Sequence, residues 1–231
     1  DLAGDRATLQ MQWLTARGDW TGAIEHYRKL PAAIEPALRD SLLNILAGGL
    51  IGAGQFDLLD NETQAILKDA AAAQPLRITA MRLRIHTAIQ RGQPAQTLER
   101  IKDARSLGAG VDFATQWLMR LYDVVMRQEK PGPEFHEIIA FADAQRQETL
   151  DGWARSMLAG LILDMTFRVD MFDLALKVIE EGIPEQKQDW HAMMINKVKA
   201  HIALKAGRNE EAYDRFSKFM QESAARMEEM N

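Results

Sequence analysis

The stretch Leu204-Lys205-Ala206-Gly207-Arg208-Asn209-Glu210-Glu211-Ala212-Tyr213-Asp214-Arg215-Phe216 decides how the rest of the chain is read. A helical run stops at Gly207, since glycine readily takes the left-handed conformation that closes a helix. A short polar turn follows. A second helix then opens with Glu210 and Glu211 in its first turn, where carboxylates suit the positive end of the helix dipole. It sets Ala212 and Phe216 four apart, on one face. The segment Thr15 to Tyr27 is built the same way, with Gly18 in the place of Gly207, and Ala23 and Tyr27 in the places of Ala212 and Phe216. Two copies near opposite ends raise the expectation of an internal repeat.

The middle of the chain carries it. With Gly207 as the reference turn, equivalent turns fall at Gly18, Gly54, Gly92, Lys130 and Asp170, at spacings of 36, 38, 38, 40 and 37 residues. Five residues after each turn stand Ala23, Leu59, Thr97, Phe135, Ala175 and Ala212. Nine residues after stand Tyr27, Thr63, Ile101, Ile139, Ile179 and Phe216, with Thr63 the weakest member. Apolar residues recur at helical period almost throughout and alternating strand patterns are absent. The spacing predicts an all-α chain of six helix pairs near 5–30, 36–73, 76–107, 111–147, 150–183 and 186–229. Pro31, Pro36, Pro75, Gly108, Gly110, Thr149 and Pro184 mark the gaps between pairs. Thr149 and Asp112 are expected as N-caps. No linker rich in Gly, Ser and Pro interrupts the chain, so residues 1–231 are expected to form a single domain.

Composition narrows the function. The 47% hydrophobic and 26% charged content is that of a globular protein. A formal charge of −5 argues against a general nucleic-acid binder. The absence of Cys excludes disulfides, thiolate metal sites and Cys nucleophiles. No apolar run reaches the roughly 18 residues that a membrane helix needs. The chain begins at Asp1 rather than Met, and an exported or periplasmic protein with its N-terminal segment removed is the expectation.

Chemistry is not advertised. None of His26, His86, His136, His191 and His201 forms a His-Glu-x-x-His pair, and Gly-x-Ser-x-Gly is absent. The segment Gly48-Gly49-Leu50-Ile51-Gly52-Ala53-Gly54 is glycine-rich, but no strand precedes it and no Lys-Ser/Thr follows. It reads as a helix passing close to a neighbour. The methionines concentrated in the last third read as gap-filling core, with a Met-rich groove as the alternative. No cofactor and no metal site are expected.

The helix–turn–helix units, above all Gly18-Asp-Trp-Thr-Gly-Ala23-Ile-Glu-His-Tyr27 and Gly207-Arg-Asn-Glu-Glu-Ala212-Tyr-Asp-Arg-Phe216, resemble the tetratricopeptide repeat (TPR) family. The units here are longer than the family's 34 residues. Met11, Ile85 and Leu163 stand where the family places Gly or Ala in its first helix. The resemblance implies a right-handed α-solenoid whose first helices line a concave groove. Carried over by position, that groove would present Asn44, Arg82, His86, Trp117, Arg120, Lys197 and His201. Asn44, Arg82, Arg120 and Lys197 would form a basic stripe able to grip carboxylates, with Trp117 as an aromatic anchor.

The resulting expectation is a non-enzymatic scaffold or adaptor that binds a protein or peptide segment. An accessory domain bound through its convex or end faces is the alternative, which an exposed apolar strip on the last helix (Phe216, Phe219, Met220, Met227) would favour. A helical enzyme with an unrecognised pocket and an RNA-binding helical repeat are further alternatives. The sequence leaves the oligomeric state open.

Overall fold

The computed structural model describes residues 2–31, 34–181 and 188–229, except for the side chains of 188–191 and 229. Twelve α-helices account for nearly all of these residues: α1 (Leu2–Ala16), α2 (Trp20–Arg28), α3 (Pro36–Gly52), α4 (Phe56–Lys68), α5 (Gln74–Gln90), α6 (Pro94–Ser106), α7 (Val111–Val125), α8 (Glu134–Glu148), α9 (Gly152–Arg168), α10 (Phe172–Glu180), α11 (Gln188–Lys205) and α12 (Asn209–Glu229). They form the six expected pairs. The expected breaker Pro184 and the expected boundaries at 183 and 186 lie outside the described residues.

Five of the six pairs are joined by the same three-residue turn, and its cause is visible in the backbone. Gly18, Gly54, Gly92, Asp170 and Gly207 have φ of 69°, 69°, 63°, 59° and 71°. The next residue's amide reaches back five positions, as in Asp19 N to Leu14 O (3.0 Å), Gln55 N to Leu50 O (2.8 Å) and Arg208 N to Ala203 O (2.9 Å). This is the Schellman closure, which satisfies carbonyls that the ending helix would otherwise leave open. Asp170 is the member that must bear the left-handed conformation with a side chain, a state that Asp tolerates better than most residues.

The sixth turn corrects the sequence reading. Helix α7 ends at Val125 and α8 begins at Glu134, so eight residues replace three. Lys130 is not a left-handed turn residue. Arg168 of α9 holds this longer connection, its guanidinium donating to the carbonyls of Met126 (3.1 Å), Gln128 (2.8 Å) and Glu129 (3.3 Å). Pro131 and Pro133 have no amide to donate, so the segment cannot close on itself as the others do.

The helix starts differ in detail. Asp19 caps α2 and Asp151 caps α9, each side chain accepting an amide three residues on, from Gly22 (2.9 Å) and Ala154 (2.8 Å). Asp112 lies inside the first turn of α7 rather than at its cap. Thr149 is likewise not the cap of α9. It ends α8 and accepts the Asp151 amide (3.2 Å). Pro36, Pro75 and Pro94 sit in the first turn of α3, α5 and α6, where a missing N–H loses nothing.

The chain divides into two compact units, residues 1–110 and 111–231. In the first, α1, α3 and α5 lie side by side, and α2 and α4 each pack on the first helix of the following pair. Its core gathers Met11, Leu14, Ala23, Tyr27, Leu42, Leu46, Leu50, Leu59 and Leu83. In the second, α7 packs beside α9, and α8 and α10 pack on α9 and α11 respectively. Leu118, Phe135, Ile139, Ile162, Ala175, Val178 and Val198 are buried there. The residues five after each turn are all buried, and so are those nine after, save the partly covered Phe216. Thr63, polar yet fully buried, turns its hydroxyl onto the Leu59 carbonyl (2.8 Å), which removes the penalty for burying it.

Candidate functional site

The residues expected to line a concave face fall in both units. In the first, α3 and α5 bring Asn44 and Arg82 together, and the guanidinium donates to Asn44 Oδ1. The Asn44 amide donates in turn to the Asp40 carbonyl (2.9 Å) and carboxylate (3.2 Å). Arg82 is exposed, and His86 follows one turn later on α5, half-buried.

In the second unit the expected aromatic anchor is a core residue instead. Trp117 is 4% exposed, because Ala114, Trp117, Leu118, Leu121 and Val125 share the helical stripe that α7 buries. Its face is met by the exposed Arg120 guanidinium, 4.7 Å from the ring centroid. Lys197 and His201, one turn apart on α11, are brought together around Phe167. The Lys197 ammonium sits 4.7 Å from the Phe167 ring and 5.6 Å from Phe219. His201 stacks on Phe172 at 4.8 Å and meets Phe167 and Phe216 edge-on. Burial, and then the Lys197 charge, lower the His201 pKa below its usual value. These side chains join α9, α10, α11 and α12 in one cluster.

A dense polar cluster gathers around Asp60. Asp60 of α4 accepts from Thr87 (3.0 Å) and Arg91 (3.1 Å), and pairs with Arg100 (3.3 Å) and Arg84 (4.0 Å). Arg100 is almost wholly buried, and that burial lowers its pKa. A groove of about 440 Å³ runs between α1 and α2, lined by Leu2, Arg6, Gln10, His26 and Leu30. His26 is turned aside onto the Ala7 carbonyl at 3.0 Å. Among the described residues no three His, Asp or Glu side chains gather as metal ligands, and no helix is long and apolar enough to cross a membrane.

Further exposed apolar side chains lie on α12 and α1. On α12, Tyr213, Met220 and Met227 are 77%, 62% and 57% exposed. They recur every seven residues, which keeps them on one side of the helix. The strip expected on the last helix was Phe216, Phe219, Met220 and Met227; Phe216 and Phe219 are instead half-buried, against His201 and near Lys197, and Tyr213 was not expected. On α1, Leu2, Leu9 and Trp13 are 89%, 65% and 55% exposed. A signal for them existed. They stand 16, 9 and 5 residues before the turn at Gly18, and the same offsets give Leu76, Leu83 and Thr87 in α5 and Ala154, Leu161 and Met165 in α9. All six of those equivalents are buried.

No family model matches the chain, and no curated protein matches it. Among solved structures, a tetratricopeptide repeat protein from Parabacteroides merdae ATCC 43184 is 17% identical, with 96% of this chain and 93% of that one covered and a TM-score of 0.31. At that score the likeness decides nothing. The all-helical repeat stands on the helix pairs and turns described above.

Proposed function

We propose that the chain is a non-enzymatic protein-interaction scaffold that engages a protein partner through the open face of its last helix. One observation carries this reading: the large apolar side chains of Tyr213, Met220 and Met227 are exposed on one side of α12. Large apolar side chains held in water on one helix face are a liability unless a partner covers them. An amphipathic partner helix laid along the stripe would bury them by the same ridge-and-groove packing that joins the pairs.

A second reading keeps the partner on the faces of the first helices. Exposed Arg82 and Arg120 favour it, since each could turn to a partner carboxylate by giving up a contact made at the surface. A photo-crosslinking residue placed at Met220 or at Arg82, in cells, separates the two. Crosslinks to protein from Met220 alone support the end-face reading, and crosslinks from Arg82 alone transfer the function to the first helices. A chain that crosslinks to no protein from either position is not a scaffold.

A further inference from the structure

We propose that Arg84 and Arg91 hold a small tetrahedral dianion, phosphate or the phosphate group of a small ester, beside Asp60 in the first unit. The site is independent of the partner face on α12. What carries it is an excess of guanidinium around one carboxylate. Arg84, Arg91 and Arg100 converge on Asp60, whose side chain is 17% exposed.

The carboxylate is already fully used. Its Oδ1 accepts from Thr87 (3.0 Å) and Arg100 (3.3 Å), and its Oδ2 accepts from Arg91 (3.1 Å) and again from Arg100 (3.3 Å). A carboxylate offers about four lone-pair sites, so none is left for Arg84. Arg84 Nε stands 4.0 Å from Oδ1, too far for a hydrogen bond. That Nε is buried without an acceptor, and the Arg84 side chain makes no hydrogen bond among the described residues. A guanidinium that is only 20% exposed lacks the acceptor that its burial calls for.

Charge leads to the same place. Three guanidiniums face Asp60, which leaves two positive charges unbalanced at the cluster. Asp57 meets Arg91 but is 93% exposed, so water screens that pair and little is lost when Arg91 turns from it to an incoming anion. A dianion brings the cluster to neutrality. Burial lowers the Arg100 pKa against the pull of Asp60, and the charges of Arg84 and Arg91 lower it further.

Packing does not ask for Arg84. It stands eight residues before the turn at Gly92, and the same offset from Gly54 and Asp170 gives Leu46 and Ile162, both fully buried. An aliphatic side chain fills this place in two other pairs. Arg84 and Arg91 lie seven apart on α5, which sets them on one side of the helix, and both reach Asp60. The guanidinium fork matches phosphate oxygens in pairs. Between them the two side chains keep only 20% and 24% of their surface open, which suits a group of a few atoms better than a polypeptide.

The test is isothermal titration of the full chain with inorganic phosphate at about pH 8, where phosphate groups are mainly doubly charged, with ionic strength held constant by chloride. Wild type should bind phosphate at a single site. Arg84→Leu should weaken that binding by at least about tenfold, the loss expected when a charge-assisted contact is removed. The variant is expected to fold, because Leu46 and Ile162 show that an aliphatic residue fits, and circular dichroism checks this. Arg91→Gln, altered nearer the surface, should weaken binding as well and keeps the test decisive if Arg84→Leu unfolds.

Glycerol phosphate separates the two sources. Binding equal to that of phosphate assigns a small phosphate ester, and binding of phosphate alone assigns the free ion. Wild type that binds neither overturns the proposal. So does phosphate binding unchanged in either folded variant, which would place the anion elsewhere. Acetate binding as tightly as phosphate also overturns it, because a single charge leaves the cluster unbalanced.

Discussion

Three glycines within seven residues give the sharpest test of the physical reading, because the same substitution should act in opposite directions. Gly48 lies in α3 with ordinary helical backbone, and a Cβ added there would meet nothing within 4 Å. Alanine at that position should stabilise by about 0.5–1 kcal/mol, the ordinary helix-interior difference. Gly54 also has open space around it, but its φ is +69°. There an L-side chain costs about 1–2 kcal/mol, offset in part by about 0.4–1 kcal/mol from a less free unfolded chain. Gly54→Ala should therefore destabilise by about 1 kcal/mol.

Gly49 differs again. Its Cβ would lie 2.9 Å from Trp20 Cζ3 and 3.3 Å from Thr15 Cβ, so overpacking of about 1–3 kcal/mol outweighs the helix gain. In urea, Gly48→Ala and Gly54→Ala should separate by about 2 kcal/mol. That is about 1 M in midpoint for a unit of this size. The transition to follow is that of residues 1–110, by far-ultraviolet circular dichroism. Matching shifts of the same sign for Gly48→Ala and Gly54→Ala would refute the assignment of Gly54 as the left-handed turn residue.

Two further outcomes follow from the side-chain clusters. Asp60→Ala should destabilise the first unit by about 3 kcal/mol, because it strands the buried Arg100 beside Arg84 and Arg91. Adding Arg100→Leu should recover much of that loss in a urea melt, since an apolar replacement removes the stranded charge. In the second unit, His201 has a lowered pKa, so its neutral form is the one that the fold favours. Its contribution is complete above the free histidine value of about 6.5 and is lost as pH falls through the lower folded value. His201→Phe should flatten the acid-side fall in the urea midpoint of residues 111–231, and an unchanged slope would locate the titrating group elsewhere.

Much of the architecture was written in local chemistry. Gly18, Gly54, Gly92 and Gly207 announce left-handed turns, since that conformation is a property of the residue and its neighbours alone. The residues five and nine after them announce the buried face, since a helix repeats every 3.6 residues whatever it packs against. Asp170 was legible for a different reason: the spacing of the repeat placed a turn there. The same spacing failed at Lys130. Two prolines and the reach of Arg168 from α9 lengthen that connection, and sequence distance does not report a contact made 40 residues away.

The sequence by itself determined the helices, five of the six turns and the pairing of neighbours, because each rests on hydrogen bonds and apolar period within about 40 residues. Only the tertiary structure decided which apolar residues are core and which are surface. Trp117 and Trp13 have similar helical surroundings in the sequence, yet one is buried and the other is open to water. Burial depends on which helix arrives from elsewhere, and no local pattern carries that information.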